Sequence, residues 1–275
     1  MTQGVKVRVA GGVAGIAVAV MAAALGADHS WSDYHWARQA NPFTLQVGDN
    51  VTAAWDTHLN SAISDWSGST VLNLTKVPGG ASSKQCRPPD GRIEVCNGTY
   101  GFNGWLGIAR IYVTGRHIYA ASTRVNDSYF NTATYNTSAW RRFVMCQEVG
   151  HDFGLAHQDE AFGPPNLGSC MDYTNDPDGG GAYGPSNLRP DGHDLDQLIT
   201  IYSHTDSFTT IGAAAPTSGR AAAQADDDHP SQWGRLVSSS RNGRVQVYEL
   251  DLGNGRRVLT HVFWADPDAD AQRGR

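Results

Sequence analysis

The sequence predicts an α+β fold, on three observations. Val51, Trp55, Leu59, Ala62, Ile63 and Trp66 recur at helical spacing, so residues 51–66 form an amphipathic helix packed on a core. Stretches of apolar residues follow, separated by Gly and Asn turns, and read as strands at 71–77, 92–95, 106–113 and 118–125. A second helix then starts at Thr137 or Ser138, both good caps, and runs to about Phe153.

The remaining elements fall into order around these. Residues 28–50 are aromatic-rich and extended, and Gly48-Asp49-Asn50 offers caps for the first helix. Residues 78–92 form a Gly/Ser/Pro loop. Residues 158–190 form a long loop of Gly, Pro, Asn and Asp, a kind of segment that is usually functional. A third helix over 191–203 carries Leu195, Leu198, Ile199 and Tyr202 on one face. The composition then shifts, and 213–232, with Asp226-Asp227-Asp228, suits a linker. Residues 245–250 and 257–263, joined around Gly253-Asn254-Gly255, read as one β-hairpin. A lone hairpin is marginal in water, so it docks on the main domain or is the remnant of a larger module. The expected layout is a signal segment (1–27), a main domain (28–212), a linker (213–232) and a C-terminal β-hairpin extension (233–275).

With 275 residues the chain is long enough to bury a sizeable core. Its net charge is −6, its only lysines are Lys6, Lys76 and Lys84, and it has no basic run, which argues against a nucleic-acid partner. Lys6 and Arg8, then the apolar and glycine stretch Val9–Leu25, then small Ala24, Gly26 and Ala27 read as a secretory signal, with an uncleaved anchor as the alternative. The expected product is secreted, with no membrane span once the signal is removed. Four cysteines suit an oxidising compartment and allow three pairings. Cys86–Cys96 with Cys146–Cys170 is favoured, the first closing a short loop around Pro88-Pro89-Asp90-Gly91. The spacings lack the Cys-x-x-Cys pairs of a thiolate metal site.

The chemistry concentrates in Cys146-Gln147-Glu148-Val149-Gly150-His151-Asp152-Phe153-Gly154-Leu155-Ala156-His157. On a helix, Val144, Gln147 and His151 all lie within about 40° of Trp140. Gln147 and His151 therefore point inward one turn apart, as two ligands of one metal would. Glu148 lies about 60° from His151, close enough to reach a water on that metal without being a ligand. Gly154 stops the helix and lets the backbone turn back, so His157 approaches from another direction. Three protein ligands leave one position open, as a catalytic zinc requires.

This pattern resembles the signature of the metzincin zinc endopeptidases, H-E-x-x-H-x-x-G-x-x-H followed by a Met-turn. Glu148, His151, Gly154 and His157 match it, and Gly-His-x-x-Gly-Leu-x-His is similar to the matrixins. Ser169-Cys170-Met171-Asp172-Tyr173 is similar to a Met-turn, with its tyrosine placed as in astacins and serralysins. Gln147 departs from the pattern, standing where the family has its first histidine. The resemblance covers about residues 34–204 and says nothing of the C-terminal hairpin.

The resemblance implies a metzincin-like catalytic domain: a twisted mixed sheet, an active-site helix and a C-terminal helix. It implies a secreted, zinc-dependent endopeptidase acting on proteins or peptides, with one catalytic Zn2+ on Gln147, His151 and His157. Glu148 is then the general base, Tyr173 donates to the oxyanion, and Met171 forms an apolar floor. A Cys146–Cys170 disulfide would hold the Met-turn against the helix. Gly104–Ile111 is expected as the edge strand that pairs with substrate, and loop 174–189 as a wall of the pocket. Two rivals stand beside this reading. One is a catalytically inactive metzincin-like secreted binding protein. The other is a structural secreted protein in which Gln147, His151 and His157 form a hydrogen-bonded cluster. The chain reads as a monomer. His193 reads as a surface residue opening the last helix, and His58 and His117 as structural or exposed. Asp176-Pro177-Asp178-Gly179 and Asp266-Pro267-Asp268 hint at Ca2+ loops without the spacing of an EF-hand. Cys86-Arg87-Pro88-Pro89-Asp90 is similar to the inhibitory cysteine motif of matrixin propeptides but lies inside the domain.

Overall fold

The apolar stripe of the first helix does become its buried face. Helix α1 spans Ala53–Trp66 and buries Trp55, Leu59, Ala62 and Trp66. The computed structural model describes residue 1 and residues 29–163, 165–212, 228–240 and 243–267. The expected signal segment, most of the expected linker and the residues from Asp268 onward lie outside the described residues.

Before and after α1 come strands β1 (His35–Trp36), β2 (Phe43–Asn50), β3 (Leu72–Pro78), β4 (Ile93–Gly98), β5 (Trp105–Thr114) and β6 (His117–Asn126). Strands β3, β2, β4 and β6 pair parallel in that order, and β1 pairs parallel with the start of β6. Strand β5 returns antiparallel to β6. After the short α2 (Asp127–Phe130) comes α3 (Ser138–His151), capped by the Thr137 hydroxyl, which accepts from the Trp140 N–H. Helix α4 (Gly192–Ile201) opens with a reciprocal capping box between Asp191 and Asp194. Leu198 and Tyr202 of its expected apolar face are buried, whereas Ile199 is exposed. Strands β7 (Arg235–Ser239), β8 (Val245–Gly253) and β9 (Arg256–Trp264) follow. The described residues thus form an α+β fold around a nine-stranded mixed sheet, ordered β3-β2-β4-β6-β5-β9-β8-β7 with β1 beside β6. Helices α1 and α3 pack together, and α3 packs on β5 and β6.

The C-terminal strands correct one expectation. Gly104–Ile111 is not an edge: β9 pairs with β5 in antiparallel register from Trp105↔Trp264 to Thr114↔Arg256. The physical reason is burial. Strand β5 is buried from Trp105 to Val113 and β9 from Val258 to Phe263, so each has apolar side chains on both faces and neither stands at an edge without loss. Strand β7 gave no sequence signal because all five of its residues are exposed. The end of the expected linker is fixed as well. The Asp228 carboxylate meets the Arg124 guanidinium at 2.6 Å, and its carbonyl accepts from Trp105 Nε1 at 2.9 Å. Trp233 is buried with Trp105, Ile108 and Val262 in a second small core.

Both expected disulfides are present, Cys86–Cys96 and Cys146–Cys170. Among the described residues no helix is long and apolar enough to cross a membrane.

Candidate metal centre

Helix α3 seats its chemistry deep in the protein. Phe143, Val144 and Val149 join the main core, and the Trp66 indole donates to the Cys146 carbonyl at 3.0 Å. Gln147, Glu148 and His151 are consequently all fully buried. His151 places Nδ1 2.8 Å from the Leu155 carbonyl, which can only accept. Its Nδ1 therefore carries the proton, and its Nε2 lone pair, buried without a partner, is left for a cation. Just beyond the helix Gly154 adopts φ +91°, where a Cβ would also collide with the Tyr34 carbonyl. The chain turns back there, held by Trp31 N–H on the Gly154 carbonyl at 2.6 Å, and brings His157 to within 4.9 Å of His151, ring centre to ring centre.

A third imidazole comes from β9. His261 lies opposite Ala109 of β5 and Val247 of β8, with its ring centre 3.8 Å from that of His151 and 4.6 Å from that of His157. One nitrogen from each of the three rings lies within 4.8 Å of the others. Both nitrogens of His157 and Nδ1 of His261 are buried without a hydrogen-bond partner. Burial holds all three rings neutral: it lowers the pKa of His151 to about 4 and those of His157 and His261 well below the usual value. Three neutral imidazoles with unengaged lone pairs fit a divalent transition ion, and three protein ligands leave a position open. Both Glu148 oxygens are likewise buried and unpartnered. Burial, reinforced by Asp152, pushes the Glu148 carboxyl well above the usual range, and a nearby dication would favour its ionised form. Sequence reading missed His261. The signal was an imidazole inside Val258-Leu259-Thr260-His261-Val262-Phe263, a run with no face turned to water.

The other expected site residues have definite places. The Gln147 amide nitrogen donates to the carbonyls of Cys170 at 2.7 Å and Asp172 at 2.9 Å, while its amide oxygen is buried without a partner. Gln147 thus clasps the backbone on both sides of buried Met171, the turn that the Cys146–Cys170 disulfide also ties to α3. Tyr173 is buried with its ring 4.9 Å from His157, and its hydroxyl oxygen accepts from the Trp264 N–H at 3.2 Å. Burial raises its pKa, and the Glu148 charge adds to the rise. The structure therefore brings His151, His157 and His261 together, with Tyr173 against His157 and Glu148 one turn before His151 on α3.

A cleft of about 480 Å³ opens onto His157 and His261. Its walls are Trp31 and Tyr34 on one side and Val237 of β7 with Val247 of β8 on the other. None of its lining comes from 174–189, the loop expected to wall the pocket, and β7 to β9 contribute Arg235, Val237, Val247 and His261 to it. His193 is not simply a surface residue: it is half-buried and stacks on His29 at 4.8 Å. In the expected Ca2+ loops, Asp176 accepts from the Asn166 amide and Asp266 pairs with Arg244, while Asp268 lies outside the described residues.

No protein-family model matches the chain, and no curated protein sequence does. In fold the chain is similar to high choriolytic enzyme 1, a hatching enzyme zinc-protease from Oryzias latipes (medaka fish). The identity is 13% and the TM-score 0.34, over 62% of this chain and 96% of that one. It is also similar to myroilysin, with 13% identity and a TM-score of 0.35 over 64% of this chain and 99% of that one.

Proposed function

We propose that this protein is an exported, zinc-dependent endopeptidase of metzincin type, with the ion on His151, His157 and His261. One observation carries the reading: three buried imidazoles converge, and a buried, unpartnered carboxylate, Glu148, stands one turn before the first of them on α3. Zinc in such a site supplies a Lewis acid for a peptide carbonyl and lowers the pKa of water. Glu148 takes the proton of the attacking water on a carboxylate oxygen and passes it to the leaving amide nitrogen. Tyr173 has its oxygen fixed by the Trp264 N–H, so its own O–H is available to donate to the oxyanion. Gln147, at the position of the family's first histidine, braces the Met171 turn while His261 supplies the missing imidazole. The cleft between Trp31 and β8 admits the peptide substrate, and the two disulfides suit an oxidising compartment.

Zinc content and chelator-sensitive casein hydrolysis test this in the wild type and three variants. Glu148→Gln should keep its zinc and lose at least about 100-fold in rate, the scale of a general base. His261→Ala should lose the zinc of this centre together with hydrolysis, and Gln147→Ala should keep that zinc. Full zinc retention by His261→Ala would overturn the ligand set. A wild type that binds zinc and cleaves nothing would be the inactive binding protein instead.

A further inference from the structure

A second cluster of imidazoles lies away from this centre, where β1, the start of β6 and the segment after α4 meet. His35 and His117 are direct partners in the parallel β1–β6 pair. Together with Asp206 they present ligand atoms within 4.8 Å of one another. Asp206 Oδ1 lies 3.5 Å from His35 Nε2, 3.3 Å from His117 Nε2 and 3.9 Å from His204 Nε2. His35 Nε2 and His204 Nε2 are themselves 3.2 Å apart. Ligands about 2.05 Å from a tetrahedral zinc lie about 3.3 Å from each other, close to these four separations, and the half-exposed His204, outside the group of three within 4.8 Å, would swing inward to complete the set.

The inward atoms face one another, His117 Nε2 with Asp206 Oδ1 at 3.3 Å and His204 Nε2 with His35 Nε2 at 3.2 Å, while the outward atoms of His35 and Asp206 are held from behind. His35 Nδ1 lies 2.8 Å from the Asp33 carbonyl and must donate to it, which puts a lone pair on Nε2 when the ring is neutral. His35 is almost wholly buried. Its Nε2 faces both Asp206 Oδ1 and His204 Nε2, an arrangement that one shared cation satisfies as well as protons on the neighbouring rings do. The other Asp206 oxygen is already satisfied, accepting from the Arg38 backbone N–H at 3.2 Å and its guanidinium at 3.3 Å. That leaves Oδ1 as a single inward ligand, oriented from behind as metal-bound carboxylates are. An entry path exists, because His35 and His204 also line a cleft of about 250 Å³.

We propose that His35, His117, His204 and Asp206 form a second, closed zinc site that fastens the segment after α4 to strands β1 and β6. Four protein ligands leave no open position, so its role is structural. The anchored segment already runs along the residues just after β1, with Asp206 N–H on the Arg38 carbonyl at 2.8 Å and Thr210 N–H on the Ala37 carbonyl at 3.0 Å.

The test counts zinc in the purified chain after loading and desalting. The wild type should hold about two equivalents, and His157→Ala and His117→Ala/His204→Ala about one each, lost from different centres. His117 and His204 are partly exposed, so removing their rings leaves the core intact. The Co2+-loaded His157→Ala chain should show the strong visible absorption of a tetrahedral ion, and adding His117→Ala/His204→Ala should abolish it. The site is overturned if His157→Ala holds no metal, or if His117→Ala/His204→Ala holds as much as the wild type, with Asp206 then bound by protonated imidazoles alone. If only the first centre fails, the wild type holds a single equivalent that His157→Ala keeps and His117→Ala/His204→Ala loses.

Discussion

Glu148 has room because of the residue facing it. A Cβ on Gly107 of β5 would come within 2.8 Å of Glu148 Cγ and 2.9 Å of its Oε1. Gly107→Ala should therefore displace the carboxylate and lower kcat by at least about tenfold, with zinc content unchanged because no ligand moves. Metal analysis beside turnover separates the two effects. Asp172 makes a different kind of prediction. One of its oxygens accepts from the Leu167 N–H and the other is buried without a partner. Burial raises its pKa from 3.8 to about 6, opposed by Leu167 and aided by Asp159. Between those two values the folded chain holds a proton that the unfolded chain has released, so stability falls as pH rises through this window and levels off above it. Asp172→Asn should flatten that slope and melt a few degrees higher above pH 6, converging with the wild type near pH 4. Melting curves from pH 4 to 7 decide it.

Helix α3 and its turn were legible because their information is local. Glu148, His151, Gly154 and His157 sit within one helix and its stop, where a 3.6-residue period and a left-handed glycine fix directions. The role of Gln147 was not legible. Its amide nitrogen answers to the carbonyls of Cys170 and Asp172 while its oxygen stays buried and unpartnered, and spacing alone does not reveal that clasp on the backbone. The same turn is tied by Cys146–Cys170, across 24 residues. Replacing both cysteines by serine should cost about 3 kcal/mol from loop closure, read from the urea midpoint, and should speed zinc loss to a chelator as the turn beneath the ligands loosens.

Across the whole molecule, what the sequence concealed was partnership. The strand patterns of β5 and β9 are readable one by one, but that β9 lies on β5 and sets His261 opposite Ala109 depends on pairing residues about 150 positions apart. For the same reason His35, His117 and Asp206 appeared unrelated until the parallel pairing of β1 with β6 brought them together. A chain ended at residue 232 should lose zinc from the first centre and melt well below the intact protein, because β5 would expose a buried flank. Elemental analysis and calorimetry of that chain check both effects.

The distance in sequence between His157 and His261 also sets a timetable. More than a hundred residues must be made after the helix and its turn before the last imidazole exists. On the proposed ligand set, a chain still being made would hold two of the donors and lack the third, so the metal centre and any activity built on it would have to wait for the last strand.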